Sequence, residues 1–152
     1  MSKSRQRSGQ RKRHKHVDPF AQFRLMRNLQ PFTPAELHKL ALKPRLAWEA
    51  MRTGQATDDD RGTISAVVNA SLVRCEAIDP ALVEVCKTAQ QALARIRDRH
   101  QRTGSPALSH QDIEDIAPVI DLHEQLLELS TPLEMERALL EVLRRAAAGE
   151  TL

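Results

Sequence analysis

The strongest constraint on the fold is a repeated helix-start signal, in which a short oxygen-bearing side chain directly precedes a proline. The signal stands at Asp18-Pro19, Thr33-Pro34, Asp79-Pro80 and Thr131-Pro132. The oxygen can accept from the free N–H groups of a helix start, and proline suits the first helical position because its missing N–H has no partner there. In "TPAE" (33–36) and "TPLE" (131–134), Glu36 and Glu134 predict capping boxes.

The remaining pattern is helical throughout. Gly54, Gly104 and Gly149 each follow a helical pattern and predict helix ends. Pro44 is expected to bend or break the second helix and Pro118 to bend the fifth. Short loops favour antiparallel neighbours. The prediction is an all-α protein, a single helical bundle of about five or six helices. The predicted helices span 19–29, 34–53, 58–77, 80–103, 110–129 and 132–148.

Aromatic residues are scarce, with three Phe, one Trp and no Tyr, so the core should be aliphatic. Three core stripes are predicted, one for each of the last three helices. They are Leu82, Cys86, Ala89, Leu93 and Ile96; Ile113, Ile116, Ile120, His123 and Leu127; and Met135, Leu139, Val142, Leu143 and Ala146. Four further leucines lie off these stripes, namely Leu122, Leu129, Leu133 and Leu140. They indicate either a wide buried face, which we favour, or a contact with a partner such as a second copy in a homodimer.

The charge is unevenly distributed along the chain. Residues 1–16 contain no acid, which gives this leader a charge of +7, while residues 17–152 carry −4. The seven cations are Lys3, Arg5, Arg7, Arg11, Lys12, Arg13 and Lys15. The leader has too little apolar area to offset the entropy of ordering. We therefore predict a disordered basic leader over 1–16 and a helical domain over 17–152.

Several protein classes are disfavoured. Two cysteines are too few for a disulfide scaffold, no apolar run is long enough to span a membrane, and the leader has no apolar signal region. A cytoplasmic protein with reduced thiols is expected.

No motif for catalysis, phosphate binding or zinc proteolysis occurs. Cys75 and Cys86 could join a histidine at a metal site, but burial in the core explains them better. The acids at 58–60 and 112–115 fit the first turns of helices, where they complement the helix dipole. The expectation is a non-enzyme without a cofactor.

Two basic features point to nucleic acid. The leader resembles arms that bind phosphate backbones; docking to a protein and simple solubilisation are the alternatives. Arg95, Arg99 and Arg102 share one helix face, although the dipole and pairing with acids of the domain also account for them. A helix-turn-helix is rejected, because the helix that would enter the groove begins "DDDR" (58–61).

Residues 40–80, "LALKPRLAWEAMRTGQATDDDRGTISAVVNASLVRCEAIDP", and 122–145, "LHEQLLELSTPLEMERALLEVLRR", carry a resemblance. They resemble small helical proteins with Lys/Arg-rich leaders from proteobacterial prophages and plasmids, some labelled Fis-type transcriptional regulators. The resemblance implies an accessory protein of a mobile element, and it transfers no residue roles. We thus expect a nucleic-acid-associated regulatory protein. The alternative is an adaptor or inhibitor that binds a host or phage protein through its acidic helical domain.

Overall fold

The structure is a computed structural model that describes residues 21–150, and this part of the chain is an all-α bundle. The prediction of the fold class is confirmed. Within these residues there are six α-helices and no strand. The leader cations and the Asp18-Pro19 signal lie outside the described residues. The helices are α1 (Ala21–Asn28), α2 (Pro34–Arg52), α3 (Asp58–Ile78), α4 (Val83–Thr103), α5 (His110–Glu128) and α6 (Pro132–Ala147).

Side-chain caps define the starts of four helices. The two predicted capping boxes form at Thr33 and Thr131. Thr57 and Ser109 form two more, closed by aspartates that the sequence pattern had suggested only as partners of the helix dipole. The helix ends predicted at glycine are confirmed, since all three glycines have φ near +70° (72°, 69° and 71°).

Two local predictions need correction. Helix α2, which we expected to bend or break at Pro44, is not broken there, because a single helix runs through this residue, and α5 likewise runs through Pro118. The helix expected to begin at Pro80 starts as a 3₁₀ turn, Pro80–Leu82, and the α-helix begins at Val83. Asp79 caps the 3₁₀ turn, because its Oδ1 accepts from the Ala81 N–H at 3.0 Å.

Helix α3 lies at the centre of the bundle and packs on α2, α4, α5 and α6. Its second half is buried on most sides, which explains why buried polar groups such as Ser71 and Arg74 occur there beside Val68 and Leu72. A helix surrounded by neighbours must bury every face, including its polar positions. Helices α4 and α5 also pack closely on each other.

The core is aliphatic, as predicted, and it includes most of the predicted stripes of α4 and α5. The stripe predicted for α6 was only partly right. Met135 and Ala138 are buried, whereas Leu139 and Leu143 are 45% and 65% exposed. Helix α6 packs chiefly on α3, so only one of its two apolar sides is covered.

Candidate functional site

The predicted arginine face of α4 lies against the start of α5. Arg95 binds Asp112 at 3.3 Å and Asp115 at 2.5 Å through Nη2. Arg99 Nη2 binds Asp112 Oδ2 at 2.7 Å and donates to the Ala107 carbonyl, also at 2.7 Å. These contacts join the C-terminal turns of α4 to the loop and first turn of α5. Pairing with acids of the domain was one of the interpretations of this arginine face based on the sequence, and these contacts agree with it.

Asp112 is the centre of this network. Its side chain is only 1% exposed, and it also closes the cap of α5 by accepting from the Ser109 N–H at 2.9 Å. Burial raises the pKa of this carboxyl, but hydrogen bonds from Ser109 and Arg99 outweigh burial and leave the pKa below its ordinary value. Asp112 is therefore an ionised, buried carboxylate held by two arginines.

The network reduces the number of cations on the arginine face that are available to bind phosphate. Two of its three cations, Arg95 and Arg99, are already neutralised within the bundle. Arg102 forms no ion pair among residues 21–150 and makes only a long 3.4 Å contact with the Asp98 carbonyl. Arg97, on another side of α4, likewise has no ion pair in the described part of the chain. Binding of nucleic acid by the predicted face stays a prediction, as does binding by the leader.

A groove of about 480 Å³ separates α3 and α4 on the opposite side of α4. Its walls carry small and polar side chains at helical spacing. On α3 these are Gly62, Ser65 and Asn69, and on α4 they are Gln90, Ala94 and Arg97. Gln90 Nε2 donates to Asn69 Oδ1 at 2.9 Å across the groove. The helices are antiparallel here, because Asp58 and Arg61 at the start of α3 line the same groove as His100 near the end of α4.

The cationic end of this groove holds one ion pair and one unsatisfied histidine atom. Arg61 Nη2 binds Asp58 Oδ1 at 2.5 Å, and this hydrogen bond lowers the pKa of Asp58. His100 Nδ1 is shielded from solvent and has no hydrogen-bond partner among the described residues. Buried polar atoms in proteins usually have a hydrogen-bond partner, so this nitrogen is an exception. No pattern in the sequence pointed to this groove, apart from the polar spacing of its two walls.

The cysteines and His123 behave as core residues. Cys75 and Cys86 are fully buried free thiols in contact with each other, and burial raises the pKa of Cys86 to about 12. Thiols of this kind are poor nucleophiles and poor metal ligands. His123 Nδ1 lies 3.1 Å from Ser71 Oγ, and burial lowers the pKa of His123 to about 4. Residues 21–150 contain no group of three or more His, Cys, Asp and Glu placed to hold a metal ion.

The outer side of α6 is an apolar surface. Leu139, Leu140 and Leu143 are all exposed, and we call these three residues the α6 leucine face. Of the four leucines that lay off the predicted stripes, Leu122 is buried and Leu133 is half-buried, whereas Leu129 is 70% exposed. The wide buried face that we favoured for these leucines is therefore borne out at Leu122 but wrong for Leu129 and Leu140.

Comparisons with known proteins give no relative. No family model, curated protein or solved structure matches this chain. None of the helices in the described residues is long and apolar enough to cross a membrane.

Proposed function

We propose that this protein is a non-enzymatic, nucleic-acid-associated accessory or regulatory protein that binds phosphate backbones through its basic leader. The observation that carries the proposal is the separation of charge. Seven cations and no acid lie within residues 1–16, while the remaining chain has an excess of acids. A segment of this composition releases counterions from nucleic acid and binds with little regard to sequence.

The ion pairs of the bundle support the proposal that the leader, and not the helical domain, binds nucleic acid. Besides Arg95 and Arg99, the domain pairs Arg45 with Glu124 and Arg145 with Glu76. Cations that are already paired within the bundle gain less from phosphate, because an internal carboxylate must be left behind. The resemblance to small proteins of prophages and plasmids fits the same proposal, with the cytoplasm as its compartment.

The test is a titration of a labelled duplex with three forms of the full chain at low salt. The first is the wild type, and the second replaces all seven leader cations by Gln. The third is a control, Arg97→Gln with Arg102→Gln, which removes two cations without an internal ion pair. Binding should be lost in the second form and nearly kept in the third. Equal binding by all three forms would refute the proposal.

A second function, a protein adaptor, is favoured by the α6 leucine face. Exposed leucines at 45%, 57% and 65% on one helix are typical of a surface that binds another protein. The test is a pull-down from nuclease-treated host lysate with wild type and with Leu140→Glu plus Leu143→Glu. An adaptor should capture a protein that resists nuclease treatment and is lost in the double variant. If no captured protein survives nuclease treatment, this second function is wrong.

A further inference from the structure

The groove between α3 and α4 has the properties of a ligand site that the leader does not need. We propose that it binds one nucleotide unit, with the phosphate at the Arg97 and His100 end and the base at the Asn69 and Gln90 end. The proposal concerns the helical bundle alone, and it stands whether or not the leader binds duplex DNA.

Gly62 lies in the wall of the groove, and neither packing nor backbone geometry requires a glycine there. It lies inside α3, where glycine lowers helix stability relative to alanine. A Cβ at this position would meet no atom within 4 Å. Neither backbone conformation nor a close neighbour therefore requires glycine here. What the missing side chain provides is space in the wall of the groove.

The end of the groove near Gly62 is suited to an anion. Asp58 is the acid lining this end, and its charge is already balanced by Arg61. Arg97 has no ion pair among residues 21–150, so the end carries a net positive charge. His100 also lines this end, and its imidazole carries an N–H group of the kind that donates to phosphate oxygens. Arginine is well suited to phosphate, because its guanidinium presents several N–H donors in a fixed planar arrangement.

The other end is suited to the edge of a base. One hydrogen bond joins these two side chains, from Gln90 Nε2 to Asn69 Oδ1. The NH₂ group of Asn69 can therefore still donate to a ligand, and the side-chain carbonyl of Gln90 can still accept from one. Paired donors and acceptors of this kind are what side-chain amides offer to base edges. The half-buried side chain of Leu93, one turn along α4 from Gln90, also lines the groove and provides an apolar surface for the base.

The size of the groove agrees with one nucleotide. Gln90 and Arg97 are seven residues apart on α4, which places the two ends about 10 Å from each other at the rise of an α-helix. This is comparable to the span from a phosphate to the outer edge of its base. The volume of about 480 Å³ lies in the range of small-molecule sites. A free nucleotide and one nucleotide of a single strand present the same chemistry.

The test is calorimetric titration of the full chain at physiological salt with nucleoside monophosphates, with a short single-stranded oligonucleotide and with inorganic phosphate. Arg97→Gln should weaken nucleotide binding about tenfold or more, because a hydrogen-bonded charge is lost. The matched control is Arg102→Gln, which removes a cation of the same helix outside the groove and should leave the affinity within about twofold of wild type.

A second variant, Gly62→Leu, places a side chain in the open wall. It should abolish nucleotide binding without lowering the midpoint of thermal unfolding. Saturable binding of monophosphates supports a free nucleotide, and binding of the oligonucleotide alone, still dependent on Arg97, supports a nucleotide within a strand. The proposal is overturned if neither ligand binds, if inorganic phosphate binds as tightly as the nucleotides, or if Arg97→Gln and Arg102→Gln weaken binding equally.

Discussion

Asp112 shows how one side chain can be both a helix cap and an electrostatic anchor. Asp60 closes an equivalent capping box at the start of α3, with its backbone partner at 2.8 Å, but no arginine is paired with it among the described residues. The two aspartates therefore differ mainly in burial and in the arginines that bind Asp112. Substitutions at Asp60 and Asp112 can therefore be compared to measure how much the network between α4 and α5 adds to the free energy of unfolding.

Asp112→Asn should lower the free energy of unfolding by about 2–3 kcal/mol, because it removes a buried charge partner from Arg95 and Arg99. Asp60→Asn is the matched control and should have a much smaller effect. Urea unfolding followed by circular dichroism measures both. If the free energy of unfolding falls equally in the two variants, Arg95 and Arg99 add no stability beyond that of the cap.

His123 predicts a dependence of stability on pH. Its pKa is lowered from 6.5 to about 4 in the folded protein by burial, with a small opposing effect of Glu124. Between these values the unfolded chain binds a proton that the folded chain does not, so stability falls as the pH falls from 6.5 to about 4. The loss should be on the order of 3 kcal/mol.

His123→Gln should remove this part of the pH dependence, because glutamine does not titrate. Urea unfolding at several pH values checks the prediction in both proteins. Carboxylates such as Asp112, whose pKa is lowered from 3.8, lose their contribution only as the pH falls below that ordinary value. If wild type and His123→Gln lose equal stability between pH 6.5 and about 4, the titration of His123 has been misassigned.

The helices differ in how they are attached to the bundle. Helix α6 is fastened to α3 by Arg74, which donates to Ser130 Oγ at 3.0 Å and lies 3.4 Å from Glu134. Glu134 is also the residue that closes the cap at Thr131. The start of α6 is thus tied to the centre of the bundle, and the cap and the tertiary contact share one carboxylate.

Thr33→Ala and Thr131→Ala should each lower the free energy of unfolding by about 1 kcal/mol, because each removes the oxygen that accepts from the third residue of its helix. The measurement is urea unfolding of both variants beside wild type. Replacement by Ser keeps the oxygen and is the control. If the urea unfolding curves of the two alanine variants coincide with that of the wild type, these caps do not stabilise α2 and α6.

The sequence predicted helix starts better than it predicted which faces are covered. The starts of α2 and α6 follow from local chemistry, since Thr, Pro and Glu at fixed spacing satisfy the same backbone groups in any fold. Asp60 and Asp112 were not recognised as box residues because the usual pattern has Glu or Gln at that position. The apolar stripe of α6 was misassigned because periodicity reveals an apolar side without showing which neighbour covers it.

The groove could not be predicted for a related reason. Gly62, Ser65 and Ala94 have no distinctive pattern until α3 and α4 are placed side by side. The arginine network has the same origin, because Arg95 and Asp112 become partners only through the packing of α4 on α5. Local signals determine where helices begin, and the pairing of helices determines which charged groups remain available.

The chain as a whole combines two electrostatic regions of opposite sign. The leader has seven cations that no acid of its own segment balances, and the remainder of the chain carries −4. The acidic charge of residues 17–152 disfavours close approach of the bundle to a polyanionic duplex and leaves the leader as the main contact. We therefore expect the leader, and not α4, to be the main source of any affinity for duplex nucleic acid.

The most direct measurement is the affinity of the full chain for a labelled duplex at several salt concentrations. If all seven leader cations meet phosphates, log K should fall against log salt with a slope of about −6. The variant with all seven replaced by Gln should retain almost no binding, and binding by wild type should vary little with duplex sequence. Absence of binding at low salt, or a slope unchanged by the seven substitutions, would contradict the account.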